Sequence, residues 1–198
     1  AYYSCVIWAV VQAARTLNRP AIIADIQPAI QHLLDLSASG VFLKNSAFYP
    51  GGAAFTHTIA YTLRGWLEVA ELLNDHSMLL TACAIADWLA NDYDRTGKIA
   101  GSYDATGKGN YSFMCITGHA QLCIAYMRIS QITGNMRYRQ LAGSLFKVIK
   151  DAPSCLPLPG FRGGIAGTQP FWGAYQPWRF LNWAAKFYVD AILISNEN

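Results

Sequence analysis

Charged residues are scarce in this chain of 198 residues, because they make up 14% of it, against about a quarter in an average domain. The net charge is only +3 and the lysines and arginines are dispersed, which argues against a nucleic-acid partner. No run of about 18 apolar residues is free of charge, so no membrane association through a spanning helix is expected. Hydrophobic residues reach 53%, enough to bury a large core, and we expect one domain over residues 1–198.

The cysteines lack any CxxC pair and are odd in number, which argues against a disulfide framework. We expect reduced, mostly buried thiols and a cytoplasmic protein. Cys115, His119 and Cys123 are spaced by four residues, as zinc ligands on one helix could be. Thr117 and Gly118 indicate that the helix begins after Cys115, and no metal or cofactor is expected. The five cysteines are Cys5, Cys83, Cys115, Cys123 and Cys155.

Strand-like alternation is also missing, apart from short pieces of the glycine-rich loops, which predicts an all-α chain. Helical periodicity predicts three helical hairpins followed by one unpaired helix. Gly134 and Asn135 form a typical left-handed helix stop, and Pro28 is expected in the first turns of its helix. The predicted helices span 3–17, 23–36, 55–74, 77–93, 117–133, 136–150 and 177–194.

One helical segment, FTHTIAYTLRGWLEVAELL from Phe55, carries a polar stripe through otherwise apolar sequence. Four polar side chains recur at steps of four, three and four residues and therefore share one helix face: His57, Tyr61, Arg64 and Glu68. A helix with such a stripe is either buried around a satisfied polar network or lines an internal cavity.

Two later helices open in a similar way, which indicates an internal repeat. HAQLCIAYMRIS begins at His119 and NWAAKFYVDAIL at Asn182, so that His57, His119 and Asn182 follow one another at almost equal intervals. Each unit consists of a long loop, an inner helix, a short turn and an outer helix. About three and a half such hairpins predict an incomplete (α/α) toroid, in which inner helices ring a central cavity. We expect the C-terminal part of a larger toroid, completed by a missing segment or a partner chain.

The stripe segment and the motif GHAQ resemble the inner helices of the six-hairpin glycosidase-like toroids, nearest to the N-acylglucosamine 2-epimerase group. The resemblance covers about residues 50–195. In that group two histidines at the mouths of inner helices exchange a proton at a sugar carbon. The resemblance therefore implies a sugar epimerase or isomerase acting on a sugar or uronic acid, with His57 and His119 as acid and base. Arg64 and Arg179 would position the substrate.

Simpler interpretations of the same side chains stay open. Each histidine could cap its own helix or hydrogen-bond inside the core. Arg64 and Glu68 lie four residues apart, which favours an ion pair within the helix. Lys186 and Asp190, one turn after Asn182, repeat this spacing. If these helices line a cavity, the polar side chains would instead contact the substrate.

The second enzymatic hypothesis is a glycoside hydrolase or uronic-acid lyase. Hydrolysis generally needs two carboxylates about 5 to 10 Å apart. Asp104, in the loop SYDATGKGN, is the best-placed acid, and Glu68 or Asp190 would supply the second. The third hypothesis, from another class, is a carbohydrate-binding or scaffold protein without turnover.

Aromatic side chains crowd the long loops. Flat rings beside glycine-rich backbone suit stacking against sugar faces, or they form a small core for the loops themselves. The sugar contacts predicted among them are Tyr103, Trp172 and Tyr175.

Overall fold

The computed structural model describes residues 1, 3–38, 40–153 and 160–196. Within these ranges the chain is all-α, with two-residue strands confined to the loops, and the predicted fold class is confirmed. The helices are α1 (Ser4–Thr16), α2 (Pro20–Asp25), α3 (Gln27–Ser37), α4 (Phe42–Asn45), α5 (Thr56–Leu73), α6 (His76–Thr96), α7 (Ile116–Thr133), α8 (Met136–Ile149) and α9 (Asn182–Asn196).

Most predicted helices agree with the structure to within three residues, but two predictions were wrong. The predicted helix 23–36 is two helices, α2 and α3, which meet at Ile26 because each has a proline in its first turn, Pro20 and Pro28. The last helix was predicted from Pro177 and begins at Asn182. Trp178 before it has a φ of 61°, which is incompatible with a right-handed helix.

The short strands tie the long loops together at one end of the helices. Strands β1 (Ala54–Phe55), β2 (Ser102–Tyr103) and β3 (Gly109–Asn110) form an antiparallel sheet in that order. Strand β4 (Met114–Cys115) pairs with β5 (Thr168–Gln169). Because β1 leads directly into α5 and β4 into α7, the strands fix where these two helices begin.

The helices form two layers. The inner helices α1, α5, α7 and α9 pack side by side in that order, while α6 packs behind α5 and α8 behind α7. Glycines allow the inner helices to approach closely. A Cβ atom at Gly118 of α7 would lie 2.7 Å from the backbone nitrogen of His57, and one at Gly65 of α5 would lie 2.5 Å from that of Cys5.

The repeat is present in the structure, but its register differs by two residues from the predicted one. Helix α5 starts at Thr56 and α7 at Ile116, and both are 18 residues long, so Thr56 and Ile116 are equivalent positions. Each helix ends in a left-handed residue, Asn74 or Gly134. The next residue, Asp75 or Asn135, caps the outer helix by accepting hydrogen bonds from backbone N–H groups of its first turn.

Apolar side chains from both layers form the main core, which includes the fully buried Trp66. Its indole N–H donates to the hydroxyl of Ser37 at 2.7 Å, so the ring nitrogen is satisfied. A smaller core lies beneath the loops and contains Phe113, Tyr175 and Leu181. Among the described residues, no helix is long and apolar enough to cross a membrane.

Candidate functional site

A cavity of about 510 Å³ is lined by residues of the four inner helices. Its size falls within the usual range for small-molecule sites. Aromatic rings and a few polar groups share its wall. The lining residues are Cys5, Trp8 and Ala9 of α1, Tyr61 and Arg64 of α5, Gln121 of α7, and Asn182, Trp183, Lys186 and Phe187 of α9.

Only part of the polar stripe of α5 faces the cavity. Tyr61 and Arg64 line the cavity, while Glu68, one turn further on, lies 3.6 Å from the Arg128 guanidinium of α7. The predicted ion pair between Arg64 and Glu68 is wrong. Arg64 instead approaches Asp190 of α9 at 4.0 Å, so both charges of the stripe face opposite charges on other inner helices.

The Arg64 guanidinium contacts Trp8 and Asp190, and its Nε has no described partner. Its guanidinium lies 5.2 Å from the ring centre of Trp8, a cation–π contact, and its Nη1 faces Asp190. The buried Nε of Arg64 has no hydrogen-bond partner in the described chain. A buried donor without a partner is costly to the folded protein.

Gln121 offers the complementary group. Its amide nitrogen hydrogen-bonds to Nδ1 of His57 at 2.6 Å. Its carbonyl oxygen is buried and has no partner among the described groups. One unsatisfied donor on α5 and one unsatisfied acceptor on α7 therefore lie buried within residues that line the cavity.

His57 lies at the loop end of the cavity, behind the residues that line it. Its ring centre is 4.9 Å from that of Tyr61, 5.2 Å from Tyr175 and 6.3 Å from Phe187. Burial lowers the pKa of His57 to about 4, so the imidazole is neutral at pH 7. Because Nδ1 accepts from the Gln121 amide, the neutral ring carries its proton on Nε2.

His119 does not share this site. The observed helix starts make Tyr61 and Gln121 equivalent, whereas the predicted register had paired His57 with His119. A shift of two residues turns a side chain by about 200° around the helix, away from the cavity. His119 is buried on the other side of α7, and its Nδ1 bonds to the carbonyl oxygen of Cys115 at 2.9 Å.

On α9 the structure agrees with the predicted placement. Asn182 and Lys186 line the cavity. The Lys186 ammonium contacts the Asp190 carboxylate at 2.5 Å, as the spacing of four residues predicted, and also lies 4.6 Å from the ring centre of Phe187. Asp190 is therefore shared between Lys186 and Arg64. Two cations with one carboxylate leave this wall with a net positive charge.

Two of the predicted loop residues, Tyr103 and Asp104, form hydrogen bonds away from the cavity. Asp104 is exposed, lies outside the cavity lining and caps a turn, where hydrogen bonds from Thr106 and Lys108 lower its pKa. The buried Tyr103 donates its hydroxyl to Asp92 at 2.7 Å. These contacts give neither side chain a free group for a sugar in the cavity.

The other loop candidates divide between the site and the surface. Tyr175 is buried beside His57, and its hydroxyl accepts a hydrogen bond from the Trp183 indole at 3.1 Å. Trp172 is 63% exposed and packs beside Trp178 in a tilted arrangement, with ring centres 6.0 Å apart. The Arg179 guanidinium donates to the Gln176 side chain at 3.1 Å. Of the three candidates, only Tyr175 contacts the cavity wall.

More than half of the cavity lining was missed by sequence reasoning. Helix α1 carried a usable signal, because residues 5–11 are apolar on every side, and such a segment is expected to be covered on each face. Gln121 would have followed from the correct register, which makes it the equivalent of Tyr61. The missed residues are Cys5, Trp8, Ala9, Gln121, Trp183 and Phe187.

The structure brings no cluster of metal-ligating side chains together within the described ranges. Cys115 precedes the first residue of α7, as predicted, so Cys115 and Cys123 do not belong to one continuous helix face. The four cysteines described, Cys5, Cys83, Cys115 and Cys123, are free thiols, and Cys155 lies outside the described residues. Burial raises the pKa of Cys5 to about 12, so this cavity thiol is protonated and not nucleophilic at neutral pH.

The fold and the cavity define part of an (α/α) toroid whose inner helices form one wall of a central site. A solved structure with this fold is that of cellobiose 2-epimerase from Spirochaeta thermophila DSM 6192, with a TM-score of 0.68 and 15% sequence identity. The match covers 98% of this chain and 52% of that one, so the chain spans about half the length of the enzyme and forms an incomplete ring. The sequence matches no protein-family model, and no curated protein is similar enough in sequence to count as a relative.

The buried histidines predict a loss of stability in acid. Their pKa values fall from 6.5 to about 4 in the folded protein, so the unfolded state binds more protons between these values. Stability is full above pH 6.5 and declines as the pH falls toward 4. We expect each histidine to lower the free energy of unfolding by about 2 kcal/mol when the pH falls from 7 to 5. Urea unfolding at the two pH values measures this loss, and His57→Gln should remove about half of it. An unchanged free energy of unfolding at pH 5 would contradict the assignment.

Proposed function

We propose that this chain forms about half of a carbohydrate-active (α/α) toroid and that its central cavity binds a sugar bearing an anionic group. The observation that carries the proposal is the composition of the cavity wall. Trp8, Tyr61 and Trp183 offer flat faces for sugar rings, while Arg64 and Lys186 add positive charge to the same wall.

The charges on the wall favour an acidic sugar over a neutral one. Asp190 neutralises one of the two cations, Arg64 and Lys186, and its 2.5 Å contact with Lys186 is the closer of the two pairs. The positive charge of Arg64 is therefore the less well compensated of the two, and its side chain is largely buried. A carboxylate on the sugar would pair with the Arg64 guanidinium through a charge-assisted hydrogen bond.

The reaction we propose is epimerisation or isomerisation by proton transfer at a carbon next to a carbonyl group. His57 is the histidine nearest to the cavity, although it lies behind the lining residues. If the sugar reaches past Tyr61, the neutral imidazole with its proton on Nε2 would donate to a sugar oxygen and polarise the carbonyl, which makes the adjacent C–H more acidic. The group that removes the proton would come from the other half of the ring, because no histidine or carboxylate is among the described residues lining this wall.

Completion of the ring is part of the same proposal. Large apolar side chains remain exposed on the two outermost inner helices, Val6 on α1 and Val189 and Leu193 on α9, each more than half exposed. Further helical hairpins, from the same protein or a partner chain, would cover these edges and close the cavity over the sugar.

The test is a comparison of acidic and neutral sugars by NMR. The indole N–H signals of the tryptophans would be followed during titration with galacturonate, galactose and N-acetylgalactosamine. We expect galacturonate to bind at least tenfold more tightly than galactose and to shift the signals of Trp8 and Trp183. Equal affinity for the two sugars, or shifts confined to Trp172 and Trp178 on the loops, would overturn the proposal.

A non-catalytic binding role is the second candidate function. The cavity lining favours it, since its described residues include neither a histidine nor a carboxylate. Incubation with the bound sugar in heavy water separates the two functions, since proton transfer at carbon incorporates deuterium. Binding without incorporation, with the ring completed by its partner hairpins, would favour the binding role. No observation favours a hydrolase that uses Asp104, because this residue caps an exposed turn.

A further inference from the structure

A second cavity, of about 450 Å³, lies on the other side of α7 from the central one. It is bounded by the end of α6, the start of α7, the last turns of α8 and the loop between β3 and β4. Its lining residues are Tyr93, Gly97, Lys98, Ile99, Tyr111, Ser112, Phe113, Met114, His119, Leu145, Val148 and Gln169. Neither the sugar proposal nor the fold accounts for this cavity.

The cavity has an apolar interior and a polar rim. Ile99, Phe113 and Leu145 are at most 4% exposed and form the inner wall. Lys98 and Val148 lie at the surface, where Lys98 supplies a cation, and no carboxylate is among the described residues of the lining. A flat apolar body with an anionic end would therefore find both a dry surface and an opposite charge here.

His119 gives the interior a buried polar group. Its side chain is buried, at 3% exposure, and Nδ1 bonds to the carbonyl oxygen of Cys115 at 2.9 Å. A carbonyl oxygen can only accept, so Nδ1 carries the proton and Nε2 is left as an acceptor. No described residue hydrogen-bonds to Nε2. Burial lowers the pKa of His119 to about 4, which keeps Nε2 unprotonated at neutral pH.

We infer that this cavity is a second binding site, for a flat hydroxylated aromatic acid. The aromatic ring packs against Phe113 and Leu145, the hydroxyl donates a hydrogen bond to His119 Nε2, and the carboxylate faces Lys98. This site is independent of the proposed sugar cavity, because α7 separates them and Gln121, not His119, faces the sugar.

The probes are 4-hydroxycinnamate and two analogues that each lack one recognition group. Cinnamate lacks the hydroxyl, and the methyl ester of 4-hydroxycinnamate lacks the charge. We expect cinnamate to bind about tenfold more weakly in an NMR titration, because it leaves the buried His119 acceptor unsatisfied. The ester should also bind more weakly than 4-hydroxycinnamate, and this difference in affinity should shrink at high salt.

A steric variant tests the location without touching the buried residues. Val148 is 50% exposed at the rim, so Val148→Trp should fill the entrance and weaken 4-hydroxycinnamate binding at least tenfold. Met136→Trp, on the exposed first turn of the same helix and outside the lining, is the matched control and should leave affinity unchanged. Equal binding of cinnamate and 4-hydroxycinnamate, full affinity in Val148→Trp, or no binding of any probe would overturn the inference.

Discussion

Replacing Gly65 by alanine is expected to destabilise the protein by about 3 kcal/mol, one of the largest effects that a single methyl group can have. Gly65 lies where α5 crosses α1, and an added Cβ would sit 2.5 Å from the backbone nitrogen of Cys5 and the carbonyl carbon of Ser4. Backbone atoms cannot rotate away as side-chain ends can, so the two helices must separate. Thermal unfolding should show a melting temperature lowered by roughly 6 to 12 °C.

Gly143→Ala is the matched control for this prediction. Gly143 is also helical, in α8, but no heavy atom lies within 4 Å of the position that a Cβ would take. Alanine should there stabilise the protein by about 0.4 to 1 kcal/mol, since it restricts the unfolded chain. Opposite signs for the two substitutions would support the close packing of the inner helices, and equal melting temperatures would contradict it.

The second large effect is expected on binding, from Arg64→Gln. Arg64 is the cation of the cavity wall that is farther from the Asp190 carboxylate, at 4.0 Å against 2.5 Å for Lys186. If it binds the carboxylate of an acidic sugar, its loss should weaken galacturonate binding by roughly 10- to 150-fold, the usual value for a charged hydrogen bond. Galactose binding should change little, because that sugar lacks the carboxylate.

Arg128→Gln controls for the loss of an arginine on an inner helix. Arg128 is also partly buried and paired with acids, Glu68 and Glu71, but it lies outside the cavity lining. This variant should bind galacturonate like the parent protein. A similar loss in both variants would mean that the net charge, and not the position of Arg64, determines binding.

The fold could be predicted from the sequence because it depends on patterns that are local. Apolar periodicity placed α5 and α7 within a residue or two, and the turn signals at Gly134 and Asn135 are present in the structure as a left-handed stop and a cap. The break within 23–36 was missed because Pro20 and Pro28 each permit a helix start, and a single proline in a first turn does not reveal a second helix.

The site was harder to predict because it depends on the rotation of one helix relative to the next. Pairing His57 with His119 by residue type set the register of the repeat two residues away from the one that the helix starts give. Two residues are more than half a turn, enough to exchange the face toward the cavity for the face toward α8. The pairing of Arg64 with Asp190 could not be read from the sequence either, since these residues lie on helices far apart in the chain.

In the loops, the sequence predicted sugar-binding residues that the structure places away from the cavity. Tyr103, Asp104 and Trp172 lie in sequence that suits a sugar site, but their hydroxyl, carboxylate and ring have partners within the described structure, away from the cavity. Only Tyr175 is directed toward the inner helices. Sequence composition marks a loop as rich in binding groups, but the hydrogen bonds of the folded loop decide which of those groups remain free.

The most direct test of the central claim is a crystal structure of the protein soaked with galacturonate. We predict a sugar between Trp8 and Trp183, with its carboxylate within hydrogen-bond distance of the Arg64 guanidinium. A sugar bound only on the exposed tryptophans of the loops, or a central cavity without sugar at concentrations that saturate the protein in solution, would contradict the account.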